Sequence, residues 1–148
     1  MDDLANLLQR DKVIDTITRL FIATDNRDWP AVRACFTTQV VFDMSSLTGR
    51  PPELLDADAI VDAWNRGLRP LAAVHHQAGN FRALVDGDSA RATCYAIAFH
   101  YRVHPSGQNT RTFVGSYDFR LIDDGEWRIS HFRFNSKFVD GNLELEKD

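Results

Sequence analysis

Long hydrophobic runs are missing from this 148-residue sequence: no apolar stretch approaches the roughly 18 residues that a membrane-spanning helix needs. The opening residues Met1-Asp2-Asp3-Leu4 are acidic where a secretory leader is basic. Together these absences predict no membrane partner and a cytoplasmic protein. Cysteine is scarce, with only Cys35 and Cys94, far apart and without CxxC spacing. They read as small buried hydrophobes in a reducing compartment, with a structural disulfide as the alternative. Positive charge is not in excess either. Lys and Arg number 17 against 21 Asp and Glu, for a net charge near −4, and they are scattered rather than striped. A phosphate-backbone binder needs the opposite balance, so nucleic acid is excluded as a partner.

What is present is the composition of an ordinary globular protein, 44% hydrophobic and 26% charged, at a length that forms one domain over residues 1–148 with room for a core and a pocket. Apolar residues at Leu4, Leu7, Leu8, Ile14, Ile17, Leu20 and Phe21 recur at helical spacing and predict one long amphipathic helix to about Thr24. Asp28 reads as an N-cap, with Pro30 in the first turn of a short second helix, where a missing N–H costs nothing. "VVFDM" predicts a short strand ending at Met44, and "TGRPPELLDAD", with its two prolines, an irregular loop. A third helix, capped by Asp56 or Asp58, carries Ile60, Val61, Trp64, Leu68 and Leu71.

Beyond Val74 the pattern turns strand-like. "HHQAGNFRALVD", "ARATCYAIAFHYRV", "TRTFVGSYDFRLI" and "EWRISHFRFNSKFV" are separated by the turn signals Asp86-Gly87-Asp88, Pro105-Ser106-Gly107 and Asp123-Asp124-Gly125, and a polar, charged tail follows. Helices first and an antiparallel meander later give an α+β fold, with the helices on one face of a curved sheet. The space between them is a cone, and the residues pointing into it decide the function. In the strand from Ala90, one parity reads Ala92, Cys94, Ala96, Ala98 and His100, so His100 shares its face with small residues that leave space. The other parity, Tyr95, Ile97, Phe99 and Tyr101, faces outward as an interface for self-association or packs against long side chains of neighbouring strands.

Asp25 continues the apolar stripe of the first helix, eight residues past Ile17 and four past Phe21. A carboxylate aimed inward there needs a partner such as a histidine or a backbone donor; the alternative is that it only caps the next turn. His75 and His76 point to opposite sides of an extended chain, so at most one enters the cone. His104, beside Pro105, is expected to face solvent. His131 shares parity with Trp127 and Ile129 and is expected in the core.

"DNRDW" at the end of the first helix, "HHQAGN" opening the long strands, "HYR" late in the second of them and "DDGEWRI" in the last hairpin together resemble the SnoaL-like branch of the NTF2-like superfamily, closest to scytalone dehydratase. The resemblance implies a cone of curved, mixed and mainly antiparallel sheet around three helices in the N-terminal half. It implies a site without metal or cofactor in which Asp25, His76 and His100 are catalytic. Phe21, Thr24, Met44, Tyr95 and Ser116 are the substrate-binding positions. Thr24, Met44 and Ser116 replace the two tyrosines and the asparagine of the fungal dehydratase. It also implies a homo-oligomer, dimer or trimer.

The side chains suit that chemistry. Dehydrating a β-hydroxy carbonyl compound requires removing a proton beside the carbonyl, stabilising the oxyanion and protonating the departing hydroxyl. Histidine titrates near working pH, and a carboxylate on one ring nitrogen fixes its tautomer. Thr24, Tyr95, Ser116 and Tyr117 are the candidates for oxyanion stabilisation. The expected function is a cofactor-independent lyase or isomerase for a small, cyclic, mainly apolar hydroxy-carbonyl substrate. The alternatives are a ligand-binding protein, a structural subunit like a ring-hydroxylating dioxygenase β chain whose cone is filled by side chains, and a facial metal triad of Asp25, His76 and His100.

Overall fold

The computed structural model describes residues 3–148. In chain order the elements are α1 (Asp3–Asp25), α2 (Trp29–Ala34), β1 (Phe36–Asp43), α3 (Ser45–Thr48), β2 (Glu53–Asp56), α4 (Ala57–Leu68), β3 (Ala73–Asp86), β4 (Ser89–Tyr101), β5 (Thr110–Asp123) and β6 (Trp127–Gly141). The strands form one six-stranded sheet in the order β2-β1-β6-β5-β4-β3. All neighbours are antiparallel except β1 and β6, which run parallel, so the sheet is mixed as expected.

Local chemistry sets the helix ends. The Asp28 side chain accepts the Ala31 N–H at 3.2 Å, and Pro30 sits in the first turn of α2. At the end of α1, Asp28 N donates to the Ala23 carbonyl and Arg27 N to that of Thr24, with Arg27 at φ 56°. This paired closure stops α1 at Asp25 and fixes where its carboxylate stands. Asp56 precedes α4 in an extended conformation without a side-chain cap bond. Leu71 lies beyond α4 rather than on it, and is buried with Val74 and Leu145.

Two expectations on this stretch are corrected. The chain at 53–56 is not irregular. It forms β2, an edge strand on β1, because the prolines at 51 and 52 fall just before it and cost no ladder bond. The first strand is longer than "VVFDM" and ends one residue earlier, at Asp43; Met44 is the N-cap of α3.

The concave face of the sheet packs on the helices. Val13, Ile17, Leu20 and Phe21 of α1 meet Phe119, Leu121, Ile129 and Phe132 in one core. On β4 the small inward residues Ala90, Ala92, Cys94, Ala96 and Ala98 are all buried, while Tyr95, Ile97, Phe99 and Tyr101 are exposed on the convex face. Bulges bend the sheet and invert side-chain parity, and two of them bear on the residues singled out above. On β3 an extra residue between Gly79 and Arg82, with Asn80 at φ 55°, turns the inward set from Val74, His76 and Ala78 to Phe81, Ala83 and Val85. On β6 an extra residue between Ile129 and His131 sends Phe132 and Phe134 inward. His131 therefore joins Arg120 and Arg133 along a convex-face depression, and its expected place in the core is corrected.

Candidate functional site

The open end of the cone holds a cavity of about 280 Å3. Its walls are mostly apolar, with Phe21 from α1, Trp64 and Leu68 from α4, Ala98 from β4, and Phe113 and Phe132 from β5 and β6. Its polar lining side chains are Thr24, His76, His100 and Tyr117, and Trp64 carries an indole N–H.

Asp25 and His76 form the tightest pair. The Asp25 carboxylate accepts the His76 ring nitrogen Nδ1 at 2.6 Å on Oδ1 and the His76 backbone N–H at 2.9 Å on Oδ2. Both side chains are largely buried, at 16% and 12% exposure. A carboxylate at a helix C-terminus meets the negative end of the dipole, and the two donors from β3 offset that cost. The ring of Phe21 stacks on the imidazole at 5.2 Å and 17°. With Nδ1 committed to an acceptor, the His76 proton is on Nδ1 and Nε2 carries the free lone pair.

His100 is held in the opposite sense. Arg111 on β5 donates from Nη2 to His100 Nδ1 at 3.0 Å, and a guanidinium can only donate, so Nδ1 is bare and the ring proton sits on Nε2. Burial first, then the Arg111 charge, pushes His100 down to about 4, so the ring is neutral at working pH. Its ring packs on Phe113 at 5.0 Å. Neither His76 nor His100 has a protein partner for Nε2 among the described residues.

Thr24 is buried, and its hydroxyl donates to the Leu20 carbonyl at 2.7 Å, leaving oxygen lone pairs but no proton for a ligand. Burial raises the Tyr117 phenol well above its ordinary range, so it stays a protonated donor. No protein acceptor takes its hydroxyl among the described residues. Met44 lines the cavity from the start of α3.

Two predicted positions are not brought to the cavity. Tyr95 is 54% exposed on the convex face. Ser116 shares that face, opposite Asn135 in the ladder, and its hydroxyl oxygen accepts from the Asn135 amide at 3.2 Å. Both follow from strand alternation: Tyr95 lies between inward Cys94 and Ala96, and Ser116 precedes inward Tyr117. His75 faces outward against Phe99, and His104 is held at the surface by Ser106 and the Lys147 carbonyl. Among the described residues, no group of three or more His, Cys, Asp and Glu side chains is placed to hold a metal ion. Cys35 and Cys94 are free and buried, and burial pushes the Cys94 thiol up to about 12.

Sequence reading missed Arg111 and Glu146. Arg111 carried a signal, because it shares inward parity with Phe113, Tyr117 and Phe119, and a cation on an apolar face demands a partner. Glu146 carried none: its place depends on the tail folding back over the cone.

The model of a SnoaL-like domain family matches residues 5–133. No curated protein matches the chain. Among solved structures, the Kfla4162 protein of Kribbella flavida superposes with a TM-score of 0.89 at 22% identity, over 99% of this chain and 100% of that one. A Novosphingobium aromaticivorans protein assigned provisionally as a scytalone dehydratase gives 0.80 at 13% identity, over 93% and 89%. A type 2 hexachlorocyclohexane dehydrochlorinase (LinA) gives 0.78 at 17% identity, over 96% and 94%. At such identities the likeness establishes the fold, an NTF2-like cone.

Proposed function

Because the chain belongs to the SnoaL-like domain family, and because two imidazoles in opposite tautomers border one apolar cavity, we propose that it is a cofactor-independent lyase or isomerase. The substrate is a small, cyclic, mainly apolar hydroxy-carbonyl compound. His76, oriented by Asp25, is the base: Nε2 takes the proton beside the carbonyl, and the C–H electrons form the enolate. The imidazolium so formed is stabilised by the Asp25 carboxylate. It returns the proton to the departing hydroxyl, which leaves as water as the enolate collapses to the alkene; delivery to another carbon instead gives isomerisation.

His100 acts as a neutral hydrogen-bond donor rather than a proton donor, since a ring held near 4 carries no spare proton at neutral pH. It is therefore not the group that protonates the departing hydroxyl. Its Nε2–H and the Tyr117 hydroxyl supply the stabilisation of the developing oxyanion, which the sequence left open. The observation that carries this reading is the opposed tautomers, a base and a donor facing the same space. The open cone also argues against a subunit whose interior is filled by side chains.

The deciding experiment is a panel of cyclic β-hydroxy ketones assayed for loss of water and for solvent-deuterium exchange beside the carbonyl. Turnover or exchange by the wild type that is abolished in His76→Gln supports the reading. Ligands that bind with no exchange would leave a carrier as the function.

The reading extends to assembly and location. The convex face of the sheet joins two or three copies of the chain, and the free, buried cysteines suit a reducing cytoplasm. No described helix is long and apolar enough to cross a membrane.

A further inference from the structure

The polypeptide beyond β6 turns back across the open end of the cone. Asn142 anchors it, through its N–H to the Thr110 carbonyl and its side-chain amide to the Gln108 carbonyl. Leu145 is fully buried with Leu71 and Val74, and its carbonyl accepts from Arg102 Nη1 at 2.8 Å. Between these anchors and the end of the chain, Glu146 sets its carboxylate against both terminal nitrogens of Arg111, Oε2 accepting from Nη1 at 2.9 Å and Oε1 from Nη2. The same Nη2 donates to His100.

Arg111 has little else to hold it. Its side chain is only 12% exposed, its Nε is buried without a partner among the described residues, and the guanidinium lies 5.4 Å from the centre of the Phe113 ring. A guanidinium in that position needs a compensating carboxylate, and without one it moves out to water. Glu146 in turn is held ionised, its carboxyl lowered chiefly by the Arg111 hydrogen bonds.

We propose that Glu146 is a positioning residue for the site: its carboxylate pins Arg111, and Arg111 fixes the His100 proton on Nε2, the nitrogen left for the ligand. The proposal deepens the acid–base reading above and rests on it for its functional meaning. Part of the apparatus then lies in a tail that is polar in sequence and far from the cone along the chain. The charged and titratable groups around His100 come from four places: Arg111 on β5, Glu146 on the tail, His76 on β3 and Asp25 at the end of α1.

The test is 15N NMR of the His100 ring in the full chain, without substrate, across pH 3.5 to 8 in about half-unit steps, a range that brackets the ordinary and shifted histidine values. Wild type, Glu146→Gln and Asp148→Asn are compared. Asp148→Asn cuts the neighbouring Arg102–Asp148 pair without touching Arg111. Amide exchange at Leu145 reports whether the tail stays docked. The wild type is expected to hold a single Nε2–H tautomer. In Glu146→Gln, with Leu145 still protected, Arg111 swings out, His100 becomes a mixture of tautomers and its titration rises by about one pH unit or more. Asp148→Asn is expected to match the wild type.

No change in Glu146→Gln, or a downward move, overturns the proposal, since either means that Arg111 keeps its place unaided. An equal change in Asp148→Asn also overturns it, as does loss of Leu145 protection in Glu146→Gln; tail docking would then be the cause. A wild-type His100 already titrating near 6.5 is a different failure, because it removes the tautomer assignment beneath the proposed chemistry.

Discussion

Asp25 grips His76 at two points, the ring through Oδ1 and the backbone through Oδ2, so the last residue of α1 fixes both where β3 starts its course along the cone and which ring nitrogen is bare. An amide in place of the carboxylate can accept only one of these donors and leaves no negative charge to stabilise an imidazolium. Asp25→Asn is therefore expected to mix the His76 tautomers and to cut turnover by about 10²–10⁴-fold. Ring 15N shifts and rates on any substrate found by the ketone panel check this. Unchanged rates with a single retained tautomer would detach Asp25 from the chemistry.

His100 makes stability depend on pH in a stated direction. Its folded-state value is held near 4 against 6.5 for an ordinary histidine, so between these values the unfolded chain binds more protons than the folded one. The stabilising contribution is complete above pH 6.5 and is lost as pH falls through 4, a total on the order of 3 kcal/mol. His131, also lowered, and Glu146, lowered below its usual carboxylate value, act in the same sense. Urea unfolding at successive pH values is expected to show this decline, and His100→Gln to flatten it. Equal slopes in the two proteins would mean that His100 titrates as if exposed.

The sequence pattern carried the parts of the fold that depend on periodicity alone. The alternation of β4 placed Ala92 to Ala98 and His100 inward because no bulge interrupts that strand, and the stripe of α1 aimed Asp25 inward because the helix runs unbroken to it. Where an extra residue inverts parity, the pattern misled, and His131 went to the wrong face. Tyr95 and Ser116 stand on the convex face because strand alternation, and not the family resemblance, decides which way they point. Neither β2 nor Glu146 has a local signature, since each is defined by its partner, β1 in one case and Arg111 in the other.

Ala98 lies beside His76 in the ladder and lines the cavity. Leucine there extends into empty space rather than into packed atoms, so Ala98→Leu is expected to fold with near wild-type stability and to weaken ligand binding by about tenfold or more. Calorimetric titration with a ligand from the panel, alongside thermal unfolding, separates the two effects. Undiminished affinity would put the ligand elsewhere.

Gly115 is required by close approach. A Cβ at this position would lie 2.2 Å from the Asn135 carbonyl oxygen and 2.9 Å from the Phe134 ring, where β6 is bulged against β5. The first of these contacts is backbone and cannot swing aside, so Gly115→Ala is expected to cost about 3 kcal/mol. Thermal unfolding measures it; a variant as stable as wild type would mean that the bulge relaxes freely.

The convex face carries the last prediction. Ile97, Val114 and Phe138 lie in register across β4, β5 and β6, and Tyr95, Phe99 and Tyr101 extend the patch along β4. Five of these side chains are 37% to 55% exposed, a contiguous apolar surface of the kind that marks an interface. The neighbouring rows are charged, with Arg91 directly opposite Arg120, which suits a polar rim around an apolar centre. The self-association proposed above would seat a second copy of the chain on this patch, and a charge at its centre should abolish it. Sedimentation velocity at micromolar concentration is expected to give a dimer or trimer for the wild type and a monomer for Ile97→Glu, with the His100 ring signals unchanged because the cavity opens on the opposite face. A monomeric wild type would leave the patch without the partner assigned to it.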